Sequence, residues 1–202
     1  MFWEMENVEE ERTKNEEAIF CEDHFIKTHS RDDEGRYVVK MPLKNEPNCL
    51  EESMDIALKE LNVLWTRVIR DHQYLKLYKD FIHEYEQLGH MKEVAAENDN
   101  SEITYYMPHH DILRPEKSTT KLRLIYNATN PTSNGLSLNS ILYNGGLVQN
   151  DLFTIMIKLR AHPYAFTADV KIVYRMILIH ESQQPLLRNL WKESPNGSGE
   201  NL

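Results

Sequence analysis

Two stretches of the chain carry apolar side chains at helical spacing. Met54, Leu58, Leu61, Trp65 and Val68 step by four and three behind Ser53, which predicts a helix over 53–70 with Ser53 as its cap. Tyr74, Tyr78, Phe81, Tyr85 and Leu88 repeat the pattern behind Asp71, predicting a second helix over 71–88 that stops at Gly89. The simplest arrangement is an antiparallel pair on a short connection, with the aromatic stripes in a core rather than around a ligand. Upstream, Ala18, Ile19, Phe25 and Ile26 form a short stripe within residues 14–28, a stretch dense in Glu and Asp. Asp33-Glu34-Gly35 predicts a turn, and 37–41 a strand closed by Pro42.

The pattern changes after the polar stretch 95–101. Residues 103–107 read as extended up to Pro108. In residues 121–126, Leu122, Leu124 and Tyr126 share one face, and Lys121 and Arg123 the other. The polar residues 114–120 between these stretches predict a hairpin-like unit with a basic tip. Asn134-Gly135 and Asn144-Gly145-Gly146 are turn signals. Asn150 or Asp151 can cap a helix with a core stripe of Leu152, Ile155, Met156 and Leu159. Residues 164–169 then read as an apolar strand ending in the carboxylate of Asp169, residues 176–179 as another strand, and 194–200 as a flexible tail. The fold class expected is α+β. It divides into a mainly helical region over 1–100, a mixed region over 101–192 and a tail over 193–202.

Charge sharpens this division. Residues 1–100 hold 24 acidic and 13 basic side chains, a net of −11, and residues 101–202 hold 8 and 10, a net of +2; together they give −9. Polyanion binding by the first half is excluded on this basis, and the second half is only slightly basic. No run approaches the roughly 18 apolar residues of a membrane helix. The acidic start Met1-Phe2-Trp3-Glu4 lacks the basic and apolar parts of a signal peptide, so the expectation is no membrane and a cytoplasmic (intracellular) location. Cys21 and Cys49 make no disulfide framework, and with His24 and His29 they lack the paired spacing of a zinc site. His109-His110 reads as structural.

The candidate chemistry lies in the second half. Asp169 ends an apolar strand, with the aromatic Tyr174 five residues on. Nucleotidyl transfer needs divalent ions clamped between carboxylates and phosphate oxygens, so a carboxylate on a rigid strand end suits it. Lys121 and Arg123 on a hairpin suit a triphosphate. The bland alternatives are a strand-end cap for Asp169 and a solvated edge-strand face for the two cations.

Several motifs in order carry a resemblance. Tyr106-Met107-Pro108-His109-His110, Ser118 to Ala128, Ser133-Asn134-Gly135-Leu136-Ser137-Leu138-Asn139 and Asp151-Leu152-Phe153 resemble the opening of the reverse transcriptase of BEL/Pao-type LTR retrotransposons. The run Thr167-Ala168-Asp169-Val170-Lys171 to Ile177 is similar to that family's first catalytic motif. Phe2-Trp3-Glu4, Asp32 to Val39 and Tyr85 to Met91 resemble the segment that joins protease to polymerase in the pol polyprotein. The resemblance covers about residues 2–192 and implies an incomplete polymerase domain of fingers and first palm motif behind a helical segment. It implies that Asp169 is the first metal-binding, catalytic carboxylate. It also implies that Lys121 and Arg123 contact the nucleotide's phosphates, and that Tyr174 blocks a ribose 2′-hydroxyl. The cofactor implied is Mg2+; the partners implied are template–primer and deoxynucleotides.

The chain also departs from the family pattern. Asn127 stands where the family usually has an acidic residue, and Lys171-Ile172 where Glu-Lys is common. The template-positioning motif and the paired-aspartate turn have no counterpart within these 202 residues. With one of three carboxylates, two-metal catalysis is not expected, and nucleic-acid binding is expected to be weak or none. The enzymatic reading is therefore a truncated RNA-directed DNA polymerase segment. The alternative is a non-enzymatic relic or interaction module derived from a transposon. Arg67, in the acidic half, has no expected part in binding.

Overall fold

The helical pair forms where the apolar spacing puts it. Helix α2 spans Met54–Val68 and helix α3 His72–Gln87, in a computed structural model that describes residues 15–94, 101–117, 121–146, 151–168, 173–194 and 200–201. Asp71 caps α3 by accepting from the N–H groups of Gln73 and Tyr74 at 2.8 and 3.2 Å. Gly89, at φ +69°, ends it. Its N–H donates to the Glu86 carbonyl and that of His90 to the Tyr85 carbonyl, the paired closure a left-handed residue permits. Ser53 holds the N-cap position of α2, its carbonyl accepting from the Ala57 N–H at 3.0 Å, but its side chain makes no capping bond. Its hydroxyl is buried and accepts from the Tyr106 N–H at 2.9 Å, while the Glu52 carboxylate takes the Met54 N–H at 2.8 Å. The buried face of α2 is Ala57, Leu61, Leu64, Trp65 and Val68, with Met54 left exposed. In α3 the buried residues are Tyr74, Tyr78 and Ile82; Ile82 continues the stripe, Phe81 packs at its margin, and Leu88 is exposed.

The hairpin is present with a shifted first strand. Strand β3 is His109–Leu113 and pairs antiparallel with β4, Leu122–Tyr126. The stretch before Pro108 makes no strand of its own beyond a single bridge from Tyr106 to Arg188. Its side chains Tyr105, Tyr106 and Met107 are buried all the same. Opposed pairs His109–Tyr126, Asp111–Leu124 and Leu113–Leu122 turn one way, and His110–Ile125 and Ile112–Arg123 the other.

Both halves of the sequence share one core. Leu64, Trp65 and Val68 of α2 and Tyr74, Tyr78 and Ile82 of α3 pack with Leu122 and Leu124 of β4 and with Trp191. Trp191 lies in β6, Leu190–Trp191, which pairs with β7, Glu200–Asn201, where the sequence predicts a free tail. A second cluster gathers Leu50, Tyr105, Met107, Leu138, Ile141 and Leu186. Each such side chain taken fully from water contributes about 1.5–3 kcal/mol.

Upstream of the helical pair, α1 (Glu16–Thr28) is capped by Asn15, whose side chain accepts from the Ala18 N–H at 2.7 Å. The turn at Gly35, φ +81°, brings β1 (Ser30–Arg31) against β2 (Tyr37–Val39). Strand β2 then pairs in parallel with β5, Ile177–Ile179. The residues after β2 hold the chain at two distant points. The Pro42 carbonyl accepts from Tyr143 N–H at 2.9 Å, and the Val39 carbonyl from His180 N–H at 2.9 Å. Gln183 adds two bonds to the Met41 backbone, at 2.6 and 3.3 Å.

Between those anchors the expected core does not form. Helix α4, Leu152–Arg160, is capped by Asp151, which accepts from the Thr154 N–H and hydroxyl at 3.0 and 2.6 Å. None of its residues is buried, although Leu152, Ile155, Met156 and Leu159 have the spacing of a core stripe. Residues 164–168 form no strand, and Tyr164 and Phe166 are each 91% exposed. The apolar alternation is present, but nothing among the described residues pairs with it or covers it, and a strand without either does not persist. Among the described residues, no helix is long and apolar enough to cross a membrane.

Candidate functional site

The outer face of the β3–β4 hairpin carries the two predicted phosphate-contacting residues. Arg123 stands opposite Ile112, and Lys121 lies one step beyond the register, its carbonyl accepting from the Arg114 N–H at 2.7 Å. Lys121, Arg123, Arg114 and Lys117 are all exposed, and neither the Lys121 ammonium nor the Arg123 guanidinium bonds to another described side chain. This is a small field of cations around two isoleucines, Ile112 and Ile125. An exposed guanidinium with its donors free is able to fork onto a phosphate or carboxylate.

The inner face fixes that hairpin. The Asp111 side chain is only 3% exposed and accepts from both the Arg67 guanidinium and the Tyr74 hydroxyl. His109 is buried, its ring near-parallel to that of Tyr78, and a hydrogen bond of 2.8 Å joins Nε2 to the Tyr78 hydroxyl. Burial pushes the His109 imidazole down to about 4, with the nearby Asp111 carboxylate opposing and His110 assisting. Burial likewise raises the Tyr74 phenol to about 12, with the hydrogen bond to Asp111 and its charge adding to the shift. The Tyr78 phenol is raised further, chiefly by burial. At neutral pH His109 is therefore an uncharged hydrogen-bonding core residue, the structural role its sequence context suggests.

Arg67 is consequently no neutral bystander. Its contact with Asp111 ties α2 to the back of the strand pair that displays Arg123. Spacing alone marks Arg67 only as a polar residue between Trp65 and Val68. The alternation that turns His109 and Asp111 inward opposite Tyr126 and Leu124 is the one signal that a buried polar pair lies here.

The remaining predicted residues are elsewhere. Tyr174 sits in a short 3-10 helix, Val173–Met176, that leads into β5; it is 84% exposed, with no ring packed on it among the described residues. It therefore leads into the β1–β2–β5 sheet, whereas Arg123 lies in the separate β3–β4 pair and Lys121 directly before β4. Asp169 lies outside the described residues, as does Lys171. Among the described residues no three His, Cys, Asp or Glu side chains converge on a possible metal position. A shallow apolar recess of about 410 Å³ opens between the 34–37 turn and Met176 and Ile177.

Comparisons with family models, with curated proteins and with solved structures give no match to this chain.

Proposed function

We propose that this chain is a segment of a retrotransposon RNA-directed DNA polymerase of the BEL/Pao type, unable to extend a primer as it stands. The observation that supports the reading is the hairpin: cations predicted to meet phosphate stand exposed on its outer face, without a partner among the described residues, while its inner face is locked into a core. In this reading Arg123 and Lys121 take the phosphates of an incoming nucleotide, Tyr174 discriminates against a ribose hydroxyl, and Asp169 holds one Mg2+ ion. One carboxylate of three does not assemble two-metal phosphoryl transfer, so no turnover is expected. Template–primer and deoxynucleotides remain the partners, bound weakly or not at all.

The test combines two measurements on the purified chain. Primer extension with Mg2+ or Mn2+ is expected at background; incorporation abolished by Asp169→Asn would show that the chain is a working polymerase. Titration of labelled primer–template at low ionic strength then compares wild type with Arg123→Ala. If binding occurs, it falls steeply with salt and weakens on loss of Arg123. Equal binding by the two proteins makes the hairpin a solvated surface only. Lys76→Ala is the proper control, because Lys76 is exposed on α3 and Arg67 is tied to Asp111.

A second reading, a non-enzymatic interaction module of transposon origin, draws on a different observation. Leu152, Phe153, Ile155, Met156, Ile157, Tyr164, Phe166, Tyr174, Met176 and Ile177 all remain exposed within one short stretch. Such concentration is unusual for a monomer and typical of a surface that meets another polypeptide.

A further inference from the structure

Helix α4 is apolar around much of its circumference, yet none of its residues is buried. Leu152 and Phe153 are 74% and 72% exposed, and Ile155, Met156 and Ile157 lie between 39% and 50%. At 100° per residue, Leu152, Ile155, Met156 and Leu159 share one face and Phe153 and Ile157 the flank beside it. A helix of that breadth belongs between other elements rather than in water. Its only charged side chains are Lys158 and Arg160, both in the last turn, and it holds no acid.

Helix α1 has the opposite charge and the same deficiency. It holds Glu16, Glu17, Glu22 and Asp23 against Lys27 alone. Its inward side is occupied by Ala18 against Gly146 and by Phe20 against Tyr143. Its outward side shows Ile26 at 67% and Ile19 at 49% exposure, a pair seven residues apart on one face, whereas Phe25 turns toward His29 and Tyr37. An apolar strip bordered by carboxylates on α1 thus complements an apolar surface ending in two cations on α4.

We propose that the protein forms a two-fold dimer in which α4 of each copy docks on α1 of its partner. Charge complementarity favours this pairing: with a net charge of −9 the copies repel at long range, and setting the basic last turn of α4 on α1, which stays acidic although Glu17 pairs with Lys44 and Asp23 with Lys27, offsets part of that repulsion. Two-fold symmetry makes the contact reciprocal, so each copy has both helices covered and the assembly closes at two. Ile19 and Ile26 of α1 and the five exposed apolar side chains of α4 enter per copy. The dimer does not depend on the polymerase reading.

Sedimentation equilibrium of the full chain over a wide concentration range tests it. The wild type is expected to reach a dimer and stop there. Ile26→Asp on α1 and Ile157→Asp on α4 each place a charge against an apolar face, and each should raise the dimer dissociation constant roughly tenfold or more. Mixing the two variants one to one is the discriminating arm. The intact α4 of the Ile26 variant then meets the intact α1 of the Ile157 variant, and association should recover part of the loss. Both positions are exposed, so far-UV circular dichroism should match the wild type; should Ile26→Asp depart from it, Ile19→Asp takes its place. A monomeric wild type overturns the proposal and includes the case in which α4 folds onto α1 of its own chain. Growth beyond dimers overturns it too. So does an Ile26→Asp protein that still dimerises, which would indicate contact between two α4 helices, and so does a mixture without recovery.

Discussion

Acidifying the protein should unlock the hairpin at one residue, His109. In the folded chain its imidazole is held to about 4, against an ordinary value near 6.5, because protonation would place a cation in the core beside Tyr78. The unfolded chain takes up that proton as pH falls through 6.5; the folded chain refuses it until about 4. Stability from this residue is therefore fully present above 6.5 and is lost progressively down to about 4, at up to 1.4 kcal/mol per pH unit. The total is about 3 kcal/mol, a large share of the 5–15 kcal/mol typical of a folded domain. Urea unfolding across pH 7.5 to 4, followed by tryptophan fluorescence from Trp65 and Trp191, would read it out. His109→Gln is the comparison, since glutamine keeps a hydrogen bond to the Tyr78 hydroxyl and does not titrate. The wild type should lose about 3 kcal/mol more than the variant over this range. If the two curves fall in parallel, His109 is not held neutral in the folded chain.

Two further predictions concern the same junction. Asp111→Ala strips Tyr74 of its acceptor and Arg67 of its counter-ion, at a cost of about 2–3 kcal/mol, whereas Arg67→Ala should cost about 1 kcal/mol because that side chain is 58% exposed; chemical denaturation of both variants compares them directly. A chain reduced to residues 101–202 should lack the cooperative unfolding transition of the full chain, because Leu122, Leu124 and Trp191 lose the faces of α2 and α3 they pack on; a sharp melt from that piece would contradict the shared core.

What could be read from the sequence was local. The spacing of Leu61, Trp65 and Val68, the Asp71 cap and the Gly89 stop depend on neighbours within a few positions, and α2 and α3 appear within two residues of their predicted ends. Helix α4 obeyed the same local rules, but its burial did not, because covering a helix requires another surface and no periodicity reports whether one is supplied. Pro108 reads as the end of an extended stretch, but residues 103–107 form no strand beyond one bridge and the strand starts immediately after the proline. The parallel pairing of β2 with β5 joins residues far apart in the chain and leaves no trace in either segment. Of the expected site, Arg123 and Lys121 faced outward as the alternation of 121–126 predicts. Their fixing through Asp111 and Arg67 was unreadable, since a buried carboxylate and a solvated one look alike in sequence.

The position of Trp191 also sets an order of events during synthesis. It shares a core with Trp65 and Tyr78, residues made more than a hundred codons earlier. Until the ribosome has passed Trp191, α2 and α3 have no complete apolar cover, and their stripes wait in the open while more than a hundred further residues are made. Contacts so distant along the chain also slow refolding, because the loop must close before any burial rewards it. The nascent protein should therefore lean on chaperones over that interval, and its yield should respond to their supply more than a bundle of local contacts would.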